Sequence, residues 1–175
     1  QELMGYNLVV ITNADAQAVG TNGRMLLEEY VKNGGSLLIC GGPYSFGKGG
    51  YKGTALEKLL PCEMTGTERV KVEGENILKP AAGAEKILPD DLAWDVQPRA
   101  LFHHPVRPKD GALVLAAIGD KPAVLAWNCG KGRVAAMAIT AEGQAGDGQL
   151  AFWEWGDWPR LMASVMRWLT AEQGK

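Results

Sequence analysis

The chain has 175 residues, 46% of them hydrophobic, which is enough for one well-filled core and predicts a single domain over residues 1–175. Its 18 basic and 20 acidic residues are mixed along the chain and give a formal net charge of −2, which argues against nucleic acid or an anionic membrane surface as a partner. No apolar run approaches the roughly 20 residues that a membrane-spanning helix needs, so no membrane partner is expected.

The first third of the chain predicts a βαβ unit. The apolar, β-branched run at residues 7–12 is typical of a strand that is buried on both faces. Apolar residues recur at helical spacing within 24–33, and Gly34 stands where a left-handed helix stop belongs. Residues 36–40 are the next predicted strand, and the short connection between the two strands predicts a right-handed parallel crossover.

The middle of the chain carries weaker signals. Thr54 and Glu57 match a capping box, in which Thr54 accepts from the Glu57 backbone N–H and the Glu57 side chain bonds back, and Pro61 ends this helix. Residues 68–74 alternate like an exposed strand, whereas residues 79–91 are typical of irregular chain.

The second half predicts antiparallel strands and a final helix. Three apolar runs, at 112–119, 122–130 and 132–140, are separated by short turn-forming sequences, which favours antiparallel pairing. An apolar stripe within 158–173 predicts a helix that packs on the sheet, with Asp157 as its N-cap. With the βαβ unit, these elements predict an α/β fold.

The segment CGGPYSFGKGGYKGT at residues 40–54, called the glycine loop below, leaves the sheet at the carboxyl end of a predicted parallel strand. Ligands of open α/β sheets bind at this edge, because loops converge there and helix N-termini present free N–H groups. We therefore expect a small-ligand pocket here. Its predicted contacts are Gly41, Gly42, Tyr44, Ser45, Phe46 and Tyr51.

The alternative interpretation of the glycine loop is a lid that closes over the core and fixes the neighbouring helix. The loop matches neither G-x-x-x-x-G-K-[ST] nor G-x-G-x-x-G, so nucleotide binding is not predicted and no cofactor is expected. The three cysteines, Cys40, Cys62 and Cys129, form no C-x-x-C spacing, which argues against a disulfide framework or a structural zinc site. The sequence indicates no metal ligands and no particular compartment.

Three tryptophans, Trp153, Trp155 and Trp158, lie close together before the final helix, in a segment that also carries Phe152 and acidic residues. Aromatic faces beside carboxylates are typical of sugar-binding surfaces, so Trp153 and Trp155 are further predicted ligand contacts and carbohydrate is a candidate ligand class. The alternative is that these rings fill the space between loop and sheet.

The order of these segments resembles that of the glutamine amidotransferase-like domains, relatives of the class I glutamine amidotransferase fold. The resemblance rests on the glycine loop, the GKGR hairpin at 130–133 and the Trp-rich end at 152–169, with HHPV at 103–106 between them. It implies a three-layer α/β/α, flavodoxin-like fold, to which the antiparallel strands add a C-terminal extension of the sheet. Such a domain is usually one part of a larger protein, and its activity is mostly unassigned.

Cys40 and His104 are the catalytic candidates that this resemblance suggests. Class I amidotransferases share a G-x-C-x-G nucleophile elbow and a later H-x-E. Here Gly42 matches the second glycine, whereas Leu38 replaces the first and Val106 replaces the acid that would orient the imidazole.

Two alternatives to catalysis stay open at these positions. In another register, CGGP corresponds to the oxyanion strand of the amidotransferases, which often reads SGGP, and Cys40 is then not a nucleophile. Cys40 is also explained as a small buried residue that ends a strand, and His103 and His104 as residues that bond locally.

The sequence therefore predicts an amidotransferase-like domain that lacks a complete Cys-His-Glu triad. We expect it to bind a small molecule, such as a carbohydrate or an amide, or adjacent domains of a parent protein, through the loops at 41–53 and 142–158. The alternative function is a thiol-dependent hydrolase or glutaminase that uses Cys40 and His104. The resembling domains carry a further strand and helix before residues 6–12, so we also expect an exposed sheet edge near 8–11 that could pair with upstream sequence or form a homo-oligomer.

Overall fold

The computed structural model describes residues 2–171, which form ten strands and four α-helices within that range. The first part of the chain contains β1 (Leu8–Thr12), α1 (Ala16–Val19), α2 (Thr21–Lys32), β2 (Ser36–Gly41) and α3 (Ala55–Leu59). The remaining elements are β3 (Cys62–Met64), β4 (Val70–Lys71), β5 (Leu78–Pro80), β6 (Phe102–His103), β7 (Val106–Pro108), β8 (Leu113–Ile118), β9 (Lys121–Cys129), β10 (Gly132–Thr140) and α4 (Trp158–Thr170). Residues 172 and 173 of the predicted last helix lie outside the described range.

The main sheet is mixed and places the chain in the α/β class. Its strand order is β1-β2-β10-β9-β8-β5. Strand β2 lies between two parallel neighbours, β1 and β10, so the predicted βαβ unit is present. Strands β10, β9, β8 and β5 pair antiparallel in that order, and short turns at 119–120 and 130–131 join the longest three. Strand β6 pairs antiparallel with the end of β10 and with β4.

Helices cover both faces of the sheet, and the side chains of β2 alternate between them. Leu37 and Ile39 pack in a core cluster with buried residues of α2 and α3. Leu38 packs in a second cluster with α4, which buries Leu161 and Val165. The period of two along a strand sends neighbouring side chains to opposite faces, so both faces of β2 are apolar.

The capping hydrogen bonds at the start of α3 differ from the prediction in one partner. The Thr54 hydroxyl accepts from the backbone N–H of Leu56 at 3.2 Å, and Glu57 accepts from the Gly53 N–H at 2.7 Å. The predicted bond from the Glu57 N–H to Thr54 is therefore wrong by one position, since an N-cap hydroxyl can bond the second or the third helical N–H.

Strand β1 forms one edge of the main sheet, as the sequence predicts. It occupies the end of the strand order, and Val10 in its centre is 49% exposed. Among residues 2–171, no helix is long and apolar enough to cross a membrane.

Candidate functional site

Cys40 lies at the carboxyl end of β2, between Thr12 of β1 and Met137 of β10. Its side chain is half-buried and packs against the core cluster on the α4 face, together with Leu38 and Met137. Burial raises the pKa of the Cys40 thiol above its usual range. The neutral thiol is therefore the favoured form, and a neutral thiol is a poor nucleophile.

His104 follows β6 and is held against the end of β10. Its backbone N–H donates to the Ala138 carbonyl at 2.8 Å, and only 2% of the residue is exposed. The imidazole stacks on Phe46 of the glycine loop, with ring centroids 4.6 Å apart. Nε2 lies 3.2 Å from the Thr140 hydroxyl oxygen, whereas the buried Nδ1 has no hydrogen-bond partner among the described residues.

This environment holds the imidazole of His104 in its neutral form. Burial lowers its pKa to about 4, and the positive charges of Arg69 and His103 act in the same direction, while the nearby Gly42 backbone opposes the shift only weakly. Arg69 donates two bonds of 2.6 Å to the Glu142 carboxylate. Among residues 2–171, no carboxylate hydrogen-bonds to the imidazole, so no negative charge there favours a proton on the ring.

Cys40 and His104 lie at the same end of the sheet but on opposite faces. A Cβ at Gly41 would approach His104 Cδ2 to 3.1 Å, so the Gly41 side of the chain faces the imidazole. Cys40, one residue earlier, faces the α4 cluster, whereas Phe46 beneath the imidazole belongs to the α2 and α3 cluster. The backbone of the sheet therefore separates the two candidate catalytic side chains.

Side-chain hydrogen bonds from Ser45 and Asn13 hold the first turn of the glycine loop, residues 42–45. The Ser45 hydroxyl accepts from the Gly42 N–H at 2.7 Å and donates to the Gly42 carbonyl at 2.9 Å. Asn13 accepts from the Tyr44 N–H at 2.8 Å, and a Cβ at Gly42 would come within 2.6 Å of the Asn13 side chain. Glycine is required at position 42 because the loop passes so close to the end of β1.

The aromatic residues of the glycine loop do not form one ligand surface. Phe46 and Tyr51 are fully buried in the α2 and α3 cluster, and the Tyr51 hydroxyl donates to the Ala14 carbonyl at 2.5 Å. Ser45 is also fully buried, whereas Tyr44 is 58% exposed. The expectation that Phe46 and Tyr51 present flat surfaces to a ligand therefore does not fit their positions, because the loop folds these rings into the core.

Trp153 and Trp155 are on the α4 side of the sheet and do not meet the glycine loop. Both pack in or against the α4 cluster, and Trp155 is 3% exposed with its ring 4.7 Å from that of Trp94. Trp158 packs edge-on against Phe152 at 4.6 Å. The packing alternative thus accounts for Trp155, whereas Trp153 and Trp158 are half-buried and keep partial access to solvent.

Asp157 serves local structure at the start of α4. Asp157 occupies the N-cap position of α4, but its side chain accepts from the Ala93 N–H at 2.8 Å and pairs with Arg160 at 3.0 Å rather than capping the helix. The bond to Ala93 lowers the pKa of Asp157, with a further contribution from Arg160.

Among residues 2–171, no group of three or more His, Cys, Asp or Glu side chains could hold a metal ion.

A cleft of about 470 Å³ lies on the outer side of the glycine loop, between the loop and the α1–α2 segment. One wall comes from the glycine loop. The other comes from α1 with its N-cap, Asp15, and from the first turn of α2. The lining residues are Asp15, Ala16, Gln17, Gly20, Thr21, Arg24, Lys48, Gly49, Gly50 and Thr54.

The cleft has mixed charge, and several of its polar groups already have partners. Arg24 donates to the Ala16 carbonyl and to the Thr21 hydroxyl, and Lys48 pairs with Glu68 at 2.7 Å. Sequence reasoning missed the α1–α2 wall, since Gln17, Thr21 and Arg24 carry no motif. The sequence signals for this wall were Asp15, a typical N-cap residue, and Gly20, which separates α1 from α2.

A family model described as "Putative glutamine amidotransferase" (GATase1-like) matches residues 4–171. The chain belongs to this family. The resemblance seen in the sequence is therefore confirmed, and the match spans every strand and helix described above. A comparison with curated protein sequences gives no match.

Solved structures with similar folds extend the comparison. Cytoplasmic Protein STM3548 from Salmonella typhimurium is 25% identical with a TM-score of 0.82, over 96% of this chain and 73% of that chain. Cytoplasmic Protein STM1381 from Salmonella typhimurium LT2 is 23% identical with a TM-score of 0.78, over 96% and 74%. A cold-adapted β-galactosidase from Rahnella sp. R3 is 18% identical with a TM-score of 0.60, over 95% of this chain and 24% of that chain. The last two likenesses concern the fold alone.

Proposed function

We propose that this chain is an amidotransferase-like domain without a working Cys-His-acid triad, and that it binds a small polar molecule in the cleft beside the glycine loop. The observation that carries the first half is the placement of Cys40 and His104 on opposite faces of the sheet. We also propose that the domain has a three-layer, flavodoxin-like fold with an antiparallel extension of the sheet. The helices on both faces of the mixed sheet support this assignment.

The protonation states support the absence of thiol catalysis. A Cys-His nucleophile needs a thiolate next to an imidazole that can accept or hold its proton. Burial raises the pKa of Cys40 and lowers the pKa of His104 to about 4, so a proton on sulfur and none on the imidazole is the stable state at neutral pH. The position of an orienting acid is filled by Val106, and the Thr140 hydroxyl contacts Nε2 instead.

The cleft supports the binding half of the proposal. Its volume of about 470 Å³ falls within the usual range for sites that bind small molecules. It lies at the carboxyl end of β1, where α/β domains bind ligands, and its lining offers the Gln17 amide and, on exchange of its exposed partner Glu68, the Lys48 ammonium. A neutral or weakly anionic molecule that carries hydroxyl or amide groups, such as a monosaccharide or an amide, suits this lining.

A thermal-shift screen tests the binding half. The panel contains monosaccharides, amino acids and their amides, and nucleotides, each at millimolar concentration. The double variant Gln17→Ala with Lys48→Ala removes two cleft groups, and Lys52→Ala is the matched control because Lys52 is exposed on the same loop but does not line the cleft. We expect a ligand that raises the melting temperature of the parent chain and of the control but not of the double variant.

Two outcomes of the screen would contradict binding in the cleft. The cleft is not the binding site if no compound of the panel stabilises the chain, or if the stabilisation survives in the double variant.

An assay of ammonia release from glutamine distinguishes this proposal from the rival function, a glutaminase. A glutaminase would turn over glutamine and lose that turnover in Cys40→Ala. Our proposal predicts no release above the buffer rate.

A further inference from the structure

Strand β9 extends past the beginning of its neighbour β8, at the end of the main sheet opposite to the glycine loop. The first residue of β8, Leu113, pairs with Ala126, whereas β9 continues to Cys129. On its other side β9 stays paired with β10 as far as Cys129, which opposes Gly132. Residues 127–129 therefore have a neighbouring strand on one side only.

The backbone of Asn128 faces the side without a strand. The two-residue turn at 130–131 closes the hairpin of β9 and β10, so Cys129 and Gly132 form a hydrogen-bonded pair. Such pairs alternate with non-hydrogen-bonded ones, so the N–H and C=O of Asn128 point away from β10. The same register places Gly111 opposite Asn128, but Gly111 is in a turn at a φ of +81°. Within residues 2–171, no backbone hydrogen bond joins the two residues.

A cleft of about 390 Å³ lies where β9 extends past β8, and it is called the β9 cleft below. Trp127 packs on the α2 and α3 side of the sheet, whereas Trp168 packs on the α4 side, so the cleft has an indole from each side. Apart from Trp168, its lining comes from three internal segments of the chain. The lining residues are Lys86, Ile87, Gly111, Ala112, Leu113, Ala126, Trp127, Asn128 and Trp168.

The charge at the β9 cleft is positive. Lys86 is exposed and lines the cleft, and no Asp or Glu is among the described lining residues. The acids next to the lining in sequence, Glu85 and Asp110, are exposed and do not line the cleft. The Arg133 guanidinium carbon lies 5.2 Å from the centroid of the Trp168 ring. An anionic group is therefore favoured over a cationic one in this cleft.

We infer that the β9 cleft binds a short extended peptide segment that carries an acidic residue. The acidic residue donates its backbone N–H to the Asn128 carbonyl and accepts from the Asn128 N–H, as in a hydrogen-bonded antiparallel pair. Asn128 shares the α4 face with Ala126, so the acidic side chain lies on that face beside Lys86. The peptide residues before and after it point to the other face, toward Trp127, where apolar side chains fit.

The geometry of the backbone groups favours a peptide over a sugar in the β9 cleft. One N–H and one C=O of the same strand residue have a spacing that a second extended chain matches, and this is how peptides add to sheet edges. The volume of about 390 Å³ falls within the usual range for sites that bind small ligands. The β9 cleft is at the other end of the sheet from the cleft beside the glycine loop, so its occupancy is independent of the proposed function.

A titration followed by ¹H–¹⁵N NMR of the chain tests the peptide site. The probes are acetyl-valyl-glutamyl-valine amide, its lysyl analogue, and the glutamyl peptide methylated on its central nitrogen. We expect the glutamyl peptide to shift the Asn128 amide signal and the indole signals of Trp127 and Trp168. The lysyl and methylated peptides should bind at least about fivefold more weakly. Lys86→Glu should reverse the preference for the glutamyl peptide, whereas the matched control Lys71→Glu, at an exposed position of β4, should preserve it.

Each probe has a result that overturns the inference. The absence of a shift at Asn128 up to about 10 mM glutamyl peptide would mean that no such peptide binds there. Equal binding of the lysyl peptide would remove the role of Lys86, and equal binding of the methylated peptide would remove the pairing with Asn128. Glucose, galactose and glucuronate are titrated in parallel. A sugar that shifts the Asn128 signal when the glutamyl peptide does not would make the cleft a carbohydrate site and also overturn the inference.

Discussion

The burial of a neutral His104 predicts that the stability of this domain falls as the pH drops from 7.5 to 5.0. The ring is 2% exposed and its pKa is lowered to about 4, whereas an imidazole in the unfolded chain titrates near 6.5. The unfolded state therefore binds more protons in this window, and the free energy of unfolding decreases as the pH falls. At pH values above about 6.5, the pKa of the imidazole in the unfolded chain, the stabilising contribution of neutral His104 is fully present.

The size of the effect follows from the two pKa values. A shift from 6.5 to about 4 corresponds to roughly 3 kcal/mol when the titration is complete. Between pH 7.5 and pH 5.0 the linkage relation gives a loss of about 2 kcal/mol, a large part of the stability of a typical domain. Burial also lowers the pKa of His103, which adds a smaller loss of the same sign.

Urea unfolding followed by tryptophan fluorescence measures this loss at the two pH values. His104→Phe keeps an aromatic ring against Phe46 but cannot titrate, so we expect most of the pH dependence to disappear in this variant. His103→Gln is the matched control, and it should keep the larger part. Carboxylates such as Glu142, whose pKa the Arg69 bond lowers, lose their contribution mainly below the unfolded pKa of about 4.5, and this loss is common to the parent chain and both variants. A loss of about 2 kcal/mol that persists in His104→Phe would refute the reasoning.

Three substitutions test the packing of the glycine loop by the same urea assay. Phe46→Ala removes a fully buried ring and should cost about 3–5 kcal/mol, and a cost below about 1 kcal/mol would mean that Phe46 is not part of the core. Gly41→Ala places a Cβ 2.5 Å from the Ile139 carbonyl oxygen and should destabilise strongly, whereas Gly156→Ala, where no atom lies within 4 Å of the new Cβ, should be close to neutral. Equal effects at the two glycines would contradict the crowding at Gly41. Ser45→Ala leaves the Gly42 N–H and carbonyl without their partner and should cost about 1–3 kcal/mol, with an unchanged free energy as the contrary result.

Local sequence patterns were sufficient for the parts of the fold that depend on neighbouring residues. The βαβ unit follows from two apolar strands that flank an amphipathic helix. The glycine loop was correctly expected to begin at the carboxyl end of β2. These features need only short-range periodicity and the handedness of the crossover.

The geometry of the candidate site depends on long-range pairing, which the sequence does not display. The face on which His104 lies is set by its bond to Ala138 and by the pairing of β6 with β10. Strand β2 is apolar on both faces, so its pattern alone does not tell which face Cys40 shares with other site residues.

The aromatic residues of the site illustrate the same limit. Phe46 resembles a surface loop residue in sequence, yet it is buried at a φ of +53° because the glycines around it let the loop turn inward. Trp155 is fixed by Trp94, which is distant in sequence and lies in a region without regular periodicity.

The pH dependence of Cys40 alkylation tests the central claim most directly. Iodoacetamide labelling of Cys40, followed by peptide mass spectrometry from pH 6 to pH 10, reports the fraction of thiolate at that residue. The structure predicts slow labelling at neutral pH that rises only in the alkaline range and does not change in His104→Phe. Fast labelling near pH 7 with an inflection that the His104 substitution abolishes would show that the thiol and the imidazole act together.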